Sequence, residues 1–366
     1  MKKILFFNQR WTSGGIERII TEIIEYSRKF NKNFEFVILV SQKETNVFDE
    51  VLKNNDVDFI VLNKKKRSNP LIRNIVSLKK YCHYLKIIKP DIIHVNVYNA
   101  IGNIYALLSS IIKKNKIIIH AHNNGFDDDK FKIKLIINKI SKILCTNSDN
   151  KTYIACSKQA ADFCFTQKNK ALIISNGIPL EKFEFDSKKR EEYRKSMKLE
   201  NEFAICNIGR MVEQKNQIRL IKIFSEIKKQ NNNAKLYIIG DGKLYLSIIK
   251  KIKEKCLEND VIIYQKISGI EKFLQAMDCF LFPSIYEGFG LVAVEAQVSG
   301  LPTFINSKLS KEIFNSPNAY PIDLSATDFE IAKFIIDKTN ASVRKSYLNS
   351  TYDINKMMEK IIDCYK

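Results

Sequence analysis

The chain has 366 residues, 45% of them apolar, and a formal net charge of +20. That length exceeds one ordinary core and calls for two domains of roughly 150 to 200 residues each, while the apolar content excludes a disordered chain. No run approaches the roughly 18 uncharged apolar residues of a membrane span, and the apolar part of "MKKILFFNQRW" is too short for a signal peptide, so a cytoplasmic protein is expected. The eight cysteines form no CxxC pair and read as reduced core thiols.

In chain order, short Ile- and Val-rich runs alternate with helical patterns. "KILFFN" precedes a helix over 16–30, in which Ile16, Ile19, Ile20, Ile23, Ile24 and Ser27 lie on one stripe. "FEFVILV" and "VDFIVL" follow as strands, then an amphipathic segment over 70–89 with Leu71, Ile75, Leu78, Cys82 and Leu85 as its apolar stripe. "DIIHVN", a helix over 98–112, "KIIIHAH" and a helix over 131–144 continue the alternation. Continuous apolar strands separated by helices imply a parallel sheet covered on both faces.

After "SNGIPLEKF" the text turns charged, and the alternation restarts at "FAICNIG". This gives a first domain at 1–183 and a second at 184–351, both doubly wound, with a cleft expected at the carboxyl ends of their strands. In the second, helices are expected over 215–230, 243–257, 270–277 and 290–299. The last segment, 352–366, reads as an amphipathic helix with Ile354, Met357, Met358, Ile361, Ile362 and Tyr365 on one stripe, and it should return to the first domain.

Several residues could carry chemistry. Gly14 and Gly15, between the first strand and helix, let backbone amides approach an anion, or simply make a turn. Arg210 and Lys215, at a strand end and helix start, suit a diphosphate, one by forked hydrogen bonds and one as a point charge; surface charge is the plainer alternative. His120 and His122 end a buried strand on the same side. With no third ligand they make a poor zinc site, and hydrogen-bonded structural histidines are the alternative. Asp127 to Asp129 match a loose DxD metal pattern but fit a helix N-terminal cap better, and no metal is expected. In "PSIYEGFGLVAVEAQVSGLP", Gly290 opens a helix that Gly300 closes, Glu287 precedes its N-terminus, and Glu295 falls in an apolar run. A buried carboxylate needs partners, from a ligand or from the protein.

Together these pieces resemble the retaining glycosyltransferases of family 4, with the GT-B fold. The resemblance rests on "GG" after the first strand, "SNGI" with the phenylalanine at 183, "GRMVEQKN", "IGDG" and the stretch from Glu287 to Glu295, and it spans nearly the whole chain. It implies that Gly14 and Gly15 approach the donor by backbone and that Arg210 and Lys215 hold its diphosphate. Glu287, Gly288, Phe289, Gly290 and Leu291 would line the donor, and Glu295 would accept from the ribose hydroxyls. "HAH" aligns with the family's threonine, apolar, histidine pattern, so His122 takes the catalytic histidine's place and His120 the threonine's. Gln265, where glycine is usual, and "NSPNAYPI", where a glycine loop is usual, depart from the pattern.

The resemblance further implies a nucleotide-sugar donor, UDP-hexose by default, a polysaccharide or lipid-linked acceptor, and no cofactor. Chemically, a nucleoside diphosphate leaves readily, so preorganised positive charge suffices where negative charge develops. A nucleotide-sugar epimerase shares the architecture and is the nearer rival. A nucleic-acid-binding protein is the rival from charge, with no zinc-finger, RNP or GxxG module behind it. The charge is uneven: residues 1–183 carry 31 basic and 16 acidic residues (+15), against 29 and 24 (+5) in the remainder. With Lys64, Lys65, Lys66 and Arg67 ahead of the 70–89 stripe, this points to an anionic membrane surface, or to a lysine-rich solvated face with the stripe on the sheet.

Overall fold

The structure, a computed structural model, describes residues 1–12, 14–30, 33–63, 70–97, 100–112, 115–123, 136, 139–142, 150–166 and 170–366. The expectations for Lys64 to Arg67, for Asp127 to Asp129 and for most of the 131–144 helix lie outside the described residues.

The chain forms two compact units, residues 1–176 with 355–366, and residues 177–354. The first holds strands β1 (Lys2–Trp11), β2 (Phe34–Lys43), β3 (Asp58–Val61), β4 (Ile92–Val97), β5 (Lys116–Ala121), β6 (Lys151–Ala155) and β7 (Leu172–Ile173). They pair in the order β3-β2-β1-β4-β5-β6-β7, all parallel. The second holds β8 (Phe203–Ile208), β9 (Ala234–Ile239), β10 (Val261–Tyr264), β11 (Cys279–Phe282), β12 (Thr303–Asn306) and β13 (Ala319–Ile322), in the order β10-β9-β8-β11-β12-β13, also parallel. In each, the chain starts at an inner strand, works outward to one edge, then crosses to the other side. That reversal is the switch point of a doubly wound sheet, beside which ligands bind at the strands' carboxyl ends.

Burial explains why these segments are strands and helices. Ile4 to Phe7, Phe36 to Val40 and Ile117 to Ile119 are buried on both faces of the first sheet. The helix Gly15–Lys29 buries Ile19, Ile20, Ile23, Ile24 and Ser27. The helix Ile354–Asp363 and the residues after it bury Met357, Met358, Ile361, Ile362 and Tyr365 within the first unit, where Lys2 Nζ donates to the carbonyls of Tyr365 (3.0 Å) and Lys366 (3.1 Å).

Three expectations shift. The first unit ends at 176 rather than 183, because Leu180–Phe183 packs on the helices Ile270–Ala276 and Leu291–Val298 of the second. Of the stripe over 70–89, whose facing the sequence left open, only part lies inward: the helix Pro70–Ile88 buries Leu85 together with Ser77 and Tyr81, while Ile75 is 55% exposed. Tyr81 owns that face because its hydroxyl bonds Ser109 at 2.6 Å and its ring meets Phe7 and Tyr105 edge-on. Of the cysteines, Cys156, Cys164, Cys206 and Cys279 are core residues, but Cys256 is exposed.

Candidate active site

In the first unit the polar residues collect at the carboxyl ends of the three central strands. Phe6 stands opposite His94 and His94 opposite Ile118, so two residues on, Asn8, Asn96 and His120 share one face in adjacent strands. All three are at most 2% exposed. His122, just past β5, lies with its ring centroid 3.9 Å from that of His120, and its Nε2 meets Asn96 Oδ1 at 2.8 Å. Both polar atoms of the Asn8 side chain, Asn96 Nδ2, His120 Nε2 and His122 Nδ1 are buried with no hydrogen-bond partner among the described residues. Buried polar atoms are nearly always satisfied, so five orphans in one row mark a place for a polar ligand or ordered water to complete the bonding.

Burial holds these histidines neutral. It pushes His120 down to about 3 and His94 and His122 well below the usual range, with neighbouring rings adding to the effect for the last two. Gly14 caps the helix Gly15–Lys29, its amide bonding Thr12 Oγ1 at 3.2 Å, and Gly15 is exposed at the helix start. Glu17 reaches back under this turn: one carboxylate oxygen accepts from the Thr12 amide at 3.0 Å, and burial raises its pKa. A Cβ on Gly14 would lie 3.1 Å from both Glu17 Oε2 and Thr12 Oγ1, so the turn leaves little room there for a side chain.

In the second unit, Lys215 and Glu287 form an ion pair at 2.6 Å with 13% and 9% of their side chains exposed. Lys215 Nζ also stands 4.9 Å from the centroid of the Phe282 ring. The pair is built by a clasp between two loops. Gln214 accepts at its carbonyl from the Ile285 amide and donates from its side chain to the Tyr286 carbonyl, both at 2.8 Å, and Asn216 Nδ2 donates to the Pro283 carbonyl at 3.2 Å. Asn216 sits at φ +56°, in the left-handed region that asparagine tolerates, which turns the chain from Glu213–Lys215 into the helix Gln217–Gln230. The Lys215 stem passes 3.2 Å from where Gly209 would carry a Cβ, and Arg210 beside it is exposed. The "IGDG" loop lies against this segment: a Cβ on Gly240 would come within 2.0 Å of the Gly209 carbonyl oxygen, and one on Gly242 within 2.5 Å of that of Met211.

Gly290, at φ +81°, caps the helix Leu291–Val298, and a Cβ there would meet Ile313 at 2.6 Å. Glu295 is buried within this helix, 2% exposed. The Phe289 ring is buried, 5.6 Å from Tyr352, so this residue can offer a ligand its backbone rather than its ring. The structure thus brings Lys215 and Glu287 into contact, leaves Arg210 exposed at the end of β8, and groups His122 with His120 in the other unit. Sequence reasoning passed over Asn8, Asn96, His94 and Glu17, and also Asn207 and Ser284, whose Oδ1 and Oγ are buried without partners. The signal was available: a polar residue closing an apolar strand, as in "KILFFN" and "DIIHVN". Among the described residues, no group of three His, Cys, Asp or Glu side chains could hold a metal ion.

Comparison with known proteins fits both units. Residues 13–182 match the model for Glycosyltransferase Family 4, and residues 188–315 that for Glycosyl transferases group 1. An uncharacterized glycosyltransferase of Methanocaldococcus jannaschii is 30% identical over 284 residues, 72% of this chain and 68% of its own. The chain belongs to the group 1 glycosyltransferases. A relative from Escherichia coli, a UDP-Gal:alpha-D-GlcNAc-diphosphoundecaprenol alpha-1,3-galactosyltransferase, is 24% identical across 96% of this chain and 93% of its own. Among solved structures, Anabaena HepE in complex with UDP-glucose superposes with a TM-score of 0.79 at 17% identity, over 100% of this chain and 99% of that one. This likeness establishes the GT-B fold for the transferase, with two Rossmann-like units. Among its described residues, no helix is long and apolar enough to cross a membrane.

Proposed function

We propose that this glycosyltransferase moves a hexose from a UDP-sugar to a polysaccharide or lipid-linked oligosaccharide, with retention of anomeric configuration and without a metal. The observation that carries the reading is the Lys215–Glu287 pair. A lysine held by one carboxylate oxygen at 2.6 Å keeps further N–H donors on the same ammonium, at the end of β8 where an anion would bind. With the exposed Arg210 following β8 in the same segment, the charge on a departing diphosphate would meet two cations. Glu295, buried in the helix that follows, is the residue for the ribose hydroxyls. In the first unit, the orphaned atoms of Asn8, His120 and His122 suit the hydroxyls of a sugar, with His122 closest in role to the reacting centre. The names of relatives support the substrate class: the galactosyltransferase just described, and an N-acetylgalactosaminyltransferase of Campylobacter jejuni, 24% identical over 383 residues, that acts on a diphospho-undecaprenol substrate with an alpha linkage. In the same reading the basic first unit sits on an anionic membrane surface, where a lipid-linked acceptor is presented.

Thermal melting with UDP, GDP, ADP and CMP, each in excess chelator, tests the donor site. UDP at a hundred times its Kd should stabilise the protein by about 2.7 kcal/mol, and Lys215→Ala should remove that gain. Equal stabilisation of the Lys215→Ala protein, or none by any nucleotide, overturns the assignment.

A further inference from the structure

The buried histidines continue into a chain that ends at Tyr365, just after the helix Ile354–Asp363. The Tyr365 hydroxyl meets His94 Nδ1 at 2.8 Å, and His94 Nε2 meets His120 Nδ1 at 3.3 Å. His120 Nε2 then points onward with no partner. Tyr365 and His94 are 0% exposed and His120 1%, so the links of the chain are shielded from bulk solvent.

Only one orientation of the chain leaves a single atom unsatisfied. If Tyr365 donates to His94 Nδ1, a neutral His94 carries its proton on Nε2 and donates to His120 Nδ1, and a neutral His120 carries its own on Nε2. The reverse orientation strands two groups, the Tyr365 hydroxyl hydrogen and the His120 Nε2 lone pair, and buried polar groups without partners are costly. Beside it, Asn96 Oδ1 can only accept, so His122 carries its proton on Nε2 and leaves Nδ1 as an acceptor.

We propose that Tyr365 and His94 are positioning residues that fix His120 as an Nε2–H donor, and that His120 and His122 together bind one hydroxyl of the donor sugar, one donating to it and the other accepting from it. This rests on the reading of the first-unit row as the sugar site, and it adds a role for His120 that the family's threonine at that place does not predict. A hydroxyl is both donor and acceptor, which matches two adjacent rings of opposite polarity, tilted 38° with centroids 3.9 Å apart.

The test is long-range proton–nitrogen correlation on the full chain labelled with nitrogen-15 histidine, which reports which ring nitrogen is protonated. His94 and His120 should both appear as Nε2–H. The His120 signals should move on adding UDP-glucose and not on adding UDP alone. Tyr365→Phe, which removes only the hydroxyl, should lose the fixed tautomer of His94 and cut turnover at least tenfold, the scale expected of an orienting partner, while the melting shift with UDP stays. An Nδ1–H tautomer at His120 in the unaltered chain, unchanged His120 signals with UDP-glucose, or full turnover in a folded Tyr365→Phe protein overturns the proposal. Failure of the donor reading itself would show separately, as no melting shift with any nucleotide.

Discussion

Arg210 and Lys215 look alike in the sequence, two cations five residues apart, and the structure separates them. Lys215 neutralises Glu287 in a mostly buried pair, whereas Arg210 is exposed. Lys215→Ala should therefore cost on the order of 1–3 kcal/mol in urea unfolding, since it strands a largely buried carboxylate, and also lower turnover roughly 10²-fold. Arg210→Ala should lower turnover similarly yet leave stability within about 0.5 kcal/mol, and Arg210→Lys should still lose activity because the forked geometry is gone. Equal stability losses in the two alanine variants would contradict this division. His122→Ala should abolish transfer while UDP still binds; if only His120→Ala does so, the reactive position is His120. The pattern of residue types made these four positions candidates in the sequence, since cations after glycine and histidines closing a strand are visible in one dimension. Asn8 and Asn96 were not, because a single asparagine at a strand end means little until parallel pairing sets it beside His120.

At the scale of elements, the strands and most helices could be read from periodicity, and the departures have local causes. The helix Asp328–Ala341 was overlooked although Thr327 and Glu330 form a capping box at its start, ahead of the buried Ile331, Ala332 and Ile335. The inward face of the helix Pro70–Ile88 could not be read from its apolar stripe alone, because Ser77 and the Tyr81 hydroxyl share in it through buried hydrogen bonds. Two expectations belong here. Gly240 has φ +149° and no room for a Cβ against Gly209, so Gly240→Ala should destabilise by about 3 kcal/mol in thermal or urea unfolding. The histidine row should make the first unit acid-sensitive. His94, His120 and His122 are neutral when folded and gain protons near pH 6.5 when unfolded, so below that pH the unfolded state binds more protons and stability falls. The loss approaches about 1.4 kcal/mol per histidine per pH unit, continuing toward the folded pKa, about 3 for His120. Glu17, with a raised pKa, acts in the opposite sense. Urea unfolding at pH 7 and pH 5.5 measures the balance, and stability equal at both would mean these rings ionise freely in the fold.

For the molecule as a whole, the charge is the feature that fold and donor site leave unused. The first unit's excess of basic residues accompanies a helix, Pro70–Ile88, whose inward face is occupied by Ser77, Tyr81 and Leu85. Its outer side carries Ile72 and Ile75, 48% and 55% exposed, together with exposed Lys79 and Lys86. The sequence left open whether the whole stripe faces the sheet; the burial pattern shows that one part does and another meets solvent. Apolar side chains with lysines along an exposed helix suit the headgroup region of an anionic bilayer, each basic residue near the surface contributing about 1 kcal/mol. Sedimentation with vesicles of neutral lipid, or of neutral lipid with a third of an acidic phospholipid, should pull the protein down only in the second case. Binding should fall as salt shortens the range of the attraction, and Ile72→Ser with Ile75→Ser should weaken it without shifting the melting temperature, because neither side chain is in the core. Neutralising residues 64–67 should weaken it further. Binding that ignores lipid charge, or survives both sets of changes, would point instead to an acceptor delivered from solution, with the lysines serving only to keep the surface hydrated.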